Sequence, residues 1–265
     1  MRGAAPAVVF LAALLIYPLA RFVLSGLNEG GVALYLETAR DPVYRAIFFE
    51  TFAVGLASTV ISIAIAYPFA YLLATTTRFW ATLGFLVLLL PFWTSIVVRT
   101  YAWMILLGRN GVVNKTLMSL GAVEEPLPLM FNHLGTLIGM VHWLLPFAAF
   151  PIYAAMTAVD RRILLAARGL GAGPVTIFLR IWLPLTLHGV LAAGAIVFVL
   201  SIAAFVTPVL LGGGKVFMMA QLVEQQVRQF LDWPLAAALS VLLTASAILL
   251  YALLRWIMRR AWTVA

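Results

Sequence analysis

Reactive chemistry needs nucleophiles, metal ligands or phosphate-cradling loops at set spacings, and this sequence offers none of them. It has no cysteine, which excludes disulfides, thiolate metal sites and cysteine nucleophiles. His133, His142 and His188 are scattered without metal-ligand spacing and read as structural. Gly212-Gly213-Gly214-Lys215 lacks the earlier glycine of a phosphate loop, and Val216 stands where a Ser or Thr should follow the lysine. Neither His-Glu-x-x-His nor Gly-x-Ser-x-Gly occurs. What remains is charge and aromatic surface inside apolar runs. Arg99 lies within one such run, where a charge costs about 2.5–3.5 kcal/mol, so it should face a cavity or a partner. Glu50 sits at similar depth in another run and is expected to pair with Arg99 or to line an outer mouth with it. Snorkelling of Arg99 to headgroups is the competing account. Trp93, Tyr101 and Trp103 can stack on a cationic ligand, although aromatics also form belts at membrane interfaces.

The most patterned polar segment is Asp160-Arg161-Arg162-Ile163-Leu164-Leu165-Ala166-Ala167-Arg168-Gly169-Leu170-Gly171. Ile163, Ala166, Ala167 and Leu170 recur at helical spacing and form one apolar stripe. Asp160 suits the N-cap, and Gly171 or Gly173 suits the stop. Pro174 then suits the first turn of a second segment, and Pro184 marks entry into the next apolar run. A helix this short is marginal alone in water, so its stripe must pack on something. Alanine and glycine would let another backbone approach closely, as in a docking helix. The periodicity alone equally allows a helix lying on lipid headgroups.

The elements that must carry these residues are membrane helices. The chain is 65% hydrophobic and only 10% charged, too little charge to keep a soluble domain dispersed. A bilayer core takes about 20 apolar residues in a helix. Six such stretches are expected, at 6–27, 46–74, 82–108, 134–157, 186–211 and 235–258, with kinks at Pro68, Pro91, Pro146 and Pro208. The reading is an all-α membrane protein with one transmembrane domain over 1–265 and a long basic loop at 158–185. The first run is too long for a signal peptide and reads as a retained span. Net charge +8 does not indicate nucleic acid, because the basic residues flank apolar runs. Arg2, Arg78, Arg161, Arg162, Arg168, Arg180, Arg255, Arg259 and Arg260 share one side, which the positive-inside rule assigns to the cytoplasm with both termini.

Within the basic loop, Ala166-Ala167, then Gly171 after three intervening residues, then Ile181-Trp182-Leu183-Pro184 after nine more match a spaced signature. It resembles the Glu-Ala-Ala signature of binding-protein-dependent ABC import permeases, with Leu165 where the family has its Glu. Pro91 to Trp103, Phe205-Val206-Thr207-Pro208 with Leu210-Leu211-Gly212-Gly213-Gly214, Glu224-Gln225-Gln226 and Asp232-Trp233-Pro234 extend the likeness to the spermidine/putrescine branch. The resemblance implies a six-span type I importer permease (MetI-like) fold in the bacterial inner membrane. It implies no enzymatic activity and no cofactor on this chain, since ATP and Mg would be used by partner subunits. The implied partners are two ATPase subunits, a second permease subunit (a paralogue) and an extracytoplasmic solute-binding protein. Arg161, Ile163, Leu165, Ala166, Ala167, Leu170, Gly171 and Pro184 would couple to the ATPase. Glu50, Trp93, Arg99, Tyr101, Trp103 and Phe205 would line the path of a small amine-bearing solute such as a polyamine. The polyamine branch often has an acid just before Phe205, and here that place is Ala204. The alternative is a stand-alone secondary transporter or channel. That would call for ion-coupling acids in the spans or an inverted repeat, and Glu50 is the only such acid.

Overall fold

The structure is a computed structural model and describes residues 5–262, with side chains at 10 and 12–252; Arg2 of the basic flank lies outside them. Among the described residues every regular element is a helix. Four helices are long and apolar enough to cross a membrane, or five if one bent pair is a single span.

The first helix, α1 (Ala5–Arg40), contains the expected span 6–27 and continues across a break at Gly31, where φ is 59°. α2 (Pro42–Thr75) contains the span expected at 46–74 and carries Pro68 inside it. The span expected at 82–108 is not one helix. α3 (Arg78–Leu89) tightens into a 3-10 turn over Leu90–Trp93, Thr94 and Ser95 are extended, and α4 (Ile96–Leu107) starts afresh. The short α5 (Val112–Ser119) follows, and the two halves of this bent pair diverge by 102°. Pro91 has no N–H for the Val87 carbonyl, and its ring opposes the preceding turn, so the helix unwinds there.

α6 (His133–Thr157) matches the fourth expected span and absorbs Pro146 and Pro151 without breaking. After α7 (Arg161–Gly169), α8 (Pro174–Ile177) passes through a π-helical turn, Phe178–Trp182, into α9 (Leu183–Ile202). This is one apolar stretch from Pro174 to Ile202, so the fifth span begins ten residues before Pro184 instead of after it. Pro184 cannot bond the Arg180 carbonyl, and the wide turn just before it accommodates the loss. The expected span 186–211 also stops short. α9 ends at Ile202, and α10 (Val206–Gly212) resumes after Phe205. Pro208 explains the gap, because a continuous helix would set its ring against the Ala204 carbonyl. Gly213 and Gly214, with φ 57° and 80°, make the turn after α10. α11 (Met219–Gln225) and a π-helical turn, Gln226–Phe230, lead to α12 (Trp233–Trp262), which holds the last expected span.

The chain divides into two compact units, one made of residues up to Thr51 with those from Phe217 onward, the other of Phe52–Val216. In the first unit α1 packs along α12, with Phe22 edge-on to Trp233 at 6.4 Å. Met219, Leu222 and Leu239 form its core. Thr51 ties α2 to α11: its Oγ1 accepts from the Met219 N–H at 2.8 Å and donates to the Ile47 carbonyl at 2.8 Å.

In the second unit α6 lies along α9. Gly189 lets them meet, since a Cβ there would press on Ala155 and come within 2.7 Å of the Pro151 carbonyl oxygen. Small residues at such crossings let membrane helices approach closely. The Tyr67 and Thr186 hydroxyls bond at 2.9 Å. Asn114, fully buried, donates to the carbonyls of Gly108 and Leu127 and accepts from the Leu127 N–H. Asn114→Ala leaves the Leu127 N–H unpaired, at about 1–3 kcal/mol where water cannot replace it, while the Gly108 and Leu127 carbonyls keep the N–H groups of Gly111 and Leu129. We expect faster proteolysis between residues 108 and 127 in the variant, read by limited digestion of the solubilised chain.

Candidate functional site

Two places gather the residues that the sequence singles out. One is α7 and its exit turn. Asp160 caps the helix, its Oδ1 accepting from the Arg162 N–H at 2.9 Å. At the other end the Gly171 N–H donates to the Arg168 carbonyl at 2.9 Å, and the Ala172 N–H to the Ala167 carbonyl at 3.0 Å. Gly171 has φ 83°, the left-handed conformation that this paired closure needs. Of the two predicted stops, Gly171 is the one used.

The apolar stripe does not act as one face. Ala167 is buried and Leu164 half-buried, so these turn toward the chain's own body. Ile163, Leu165, Ala166 and Leu170 are exposed, Leu170 to 89%. Arg161 is exposed beside them, and Pro184 lies half-buried in the helix that follows. Ile163, Leu165 and Leu170 thus leave an apolar edge of α7 bare.

The second place is the break in the third span. A cavity of about 380 Å³ opens there, lined by Pro91, Thr94, Val98, Arg99 and His142 among others. A second cavity of about 240 Å³ shares Pro91 and His142 with it. Arg99 is half-buried; its Nη2 donates weakly to the Thr94 carbonyl at 3.4 Å, and its Nε has no hydrogen-bond partner. Trp103 does not offer its indole as a free platform. Its N–H donates to His142 Nδ1 at 3.2 Å, and the rings meet edge to face. Trp93 is 86% exposed and Tyr101 51%, both without recorded ring partners, so either can meet lipid or a neighbour. Phe205 is half-buried at the N-cap of α10, next to buried Ala204. Glu50 is half-buried and belongs to the other unit.

His142 is the residue that sequence reasoning passed over. An imidazole inside the apolar run 134–157 is the signal that could have found it, by the same argument that picked out Arg99. Among the described residues no group of three or more His, Cys, Asp or Glu could hold a metal ion.

An all-helical membrane chain with broken spans and a capped helix between the fourth and fifth spans is the architecture of a transporter permease. A chain from the crystal structure of a bacterial alginate ABC transporter, in complex with an alginate pentasaccharide-bound periplasmic protein, superposes with TM-score 0.81 at 15% identity. The match covers 98% of this chain and 93% of that one. The spermidine/putrescine transport system permease protein PotB of Escherichia coli is 34% identical over 204 residues, 77% of this chain and 74% of that protein. The putative 2-aminoethylphosphonate transport system permease protein PhnU of Salmonella choleraesuis is 25% identical over 262 residues, 92% of this chain and 87% of that protein. No protein-family model matches. The chain belongs to the ABC importer permease family, in the branch that includes PotB. It is a transport subunit and not an enzyme.

Proposed function

We propose that this chain is the membrane-spanning half of an ATP-driven importer that moves a small amine-bearing solute, such as a polyamine, across the bacterial inner membrane. Both termini lie in the cytoplasm. Two ATPase subunits hydrolyse ATP with Mg, a paralogous second permease completes the pathway, and an extracytoplasmic binding protein delivers the solute. Helix α7 is the lever. When ATP draws the ATPase subunits together, α7 moves with them and shifts the spans between outward and inward access. Such coupling requires that docking differ in energy between the two states.

The observation that carries this reading is the bare edge of α7, with Leu170 at 89% exposure beside a helix end held by Gly171. A helix lying on lipid headgroups is the competing account. A wedge of Ile163, Ala166 and Leu170 ending in a glycine turn suits a protein groove better. The amine preference is supported by the kinship with PotB.

The chain has no cysteine, so Leu170→Cys introduces a single thiol. A photoreactive benzophenone maleimide attached at this thiol, irradiated in membranes holding the whole complex, should join this position to an ATPase subunit, with a yield that changes when a non-hydrolysable ATP analogue is added. A probe that joins to no protein while uptake proceeds would refute the lever.

A further inference from the structure

The cavity at the break in the third span has a chemical bias that an importer for simple polycations does not need. Its polar side-chain groups are donors apart from the Thr94 hydroxyl oxygen. Arg99 brings a permanent positive charge, and its Nε–H has no acceptor. His142 accepts the Trp103 N–H through Nδ1, so in the neutral ring the remaining proton sits on Nε2, which is then also a donor. Thr94 Oγ1 already donates to the Pro91 carbonyl, so that hydroxyl proton is taken. The start of α4 lies at the same break, and Ser95 makes no side-chain cap to its first N–H groups. No Asp or Glu lines this cavity or the smaller one beside it. Ala204, in the same unit, is a buried methyl where an acid would attract an ammonium group.

We propose that the Arg99–His142 cavity receives an oxyanion, a carboxylate or phosphonate carried by the transported amine, so that the solute is zwitterionic instead of purely cationic. This rests on the importer reading and keeps its amine-bearing solute, but it replaces the polyamine example with a zwitterion. Trp103 acts as a positioning residue that fixes the His142 ring. Arg99 supplies the charge, and its unpaired Nε–H is a donor that a ligand oxyanion satisfies. A site built this way rejects a solute that ends in a second ammonium, because the donors stay unpaired and the charges repel. The same chemistry could also hold a lipid phosphate.

The test uses the assembled complex in nanodiscs of phosphatidylcholine, without binding protein, and saturation-transfer NMR with two probes of matched length, 4-aminobutyrate and putrescine. Transfer to 4-aminobutyrate and none to putrescine is the expected result. R99Q, recovered in the assembled complex, should weaken that binding by about tenfold or more, and R99K should restore part of it. Equal transfer to both probes, or none to either, overturns the proposal. A 4-aminobutyrate signal that R99Q leaves intact also overturns it. Nanodiscs containing phosphatidylglycerol separate the two sources of oxyanion. A signal that persists there supports the solute site, and one that is abolished gives the cavity to a lipid headgroup and overturns it. Stimulation of ATP hydrolysis by the binding protein, measured on the same wild-type preparation, checks the importer reading separately; its absence would sink that reading, whatever the probes do.

Discussion

Gly171→Asp is expected to abolish both solute uptake and the stimulation of ATP hydrolysis by the binding protein, while the chain stays in the membrane. Gly171 holds φ 83° at the end of α7, and the two hydrogen bonds that close the helix depend on it. A residue with a Cβ in that conformation costs about 1–2 kcal/mol. The Asp carboxylate adds repulsion at the negative end of the helix, about 0.3–1 kcal/mol at an exposed site. Nothing of the chain's own lies within 4 Å of a Cβ built there, so the substitution causes no internal collision. The damage falls on the turn and on whatever docks against it. Gly171→Asn separates these two effects, because Asn and Asp enter the left-handed conformation alike and Asn lacks the charge. It should keep α7 closed and retain part of the uptake. Wild-type uptake from the Asp variant, measured in proteoliposomes with the full complex, would remove the lever from the mechanism.

Gly189→Leu should eliminate the assembled permease altogether. A Cβ at this position already presses on Ala155 and lies 2.7 Å from the Pro151 carbonyl oxygen, neither of which is a flexible side-chain end. Overpacking in a tight core costs about 1–3 kcal/mol for modest insertions, and three further carbons at a helix crossing exceed what rotamer change can absorb. The α6–α9 pair would have to separate. Gly194 is the control on the same helix, where a Cβ would make only a 3.4 Å contact with the flexible end of Ile63. Gly194→Ala should therefore purify and melt like the parent, and Gly189→Leu should give little folded complex by size-exclusion chromatography. Similar recovery of both would show that the close crossing is not required.

Much of helix α7 was legible in residue order because its determinants are local. Asp160, the helical recurrence of apolar residues and Gly171 act within a dozen positions, and each does in the fold what its type predicts. The division of the stripe was not legible. Whether Ala167 or Leu170 turns inward depends on which side of α7 meets the rest of the chain, and periodicity gives a face without an orientation. Leu165, in place of the family's Glu, is 63% exposed, so any contact it makes with a partner is apolar.

The spans show the same divide. Apolar length alone placed 46–74, 134–157 and 235–258 inside helices, because lipid leaves the backbone no other way to satisfy its hydrogen bonds. Prolines at 91, 146, 151 and 208 look alike in the sequence, yet α6 absorbs two of them while the third and fifth spans break. The outcome turns on whether neighbouring groups can take up the freed carbonyls, which is a property of packing. The meeting of Trp103 with His142, residues 39 apart in the chain, likewise exists only once α4 and α6 lie side by side. Local sequence thus settled the membrane class and the capped helix α7, and the packed helices settled where the cavity opens and which side chains face it.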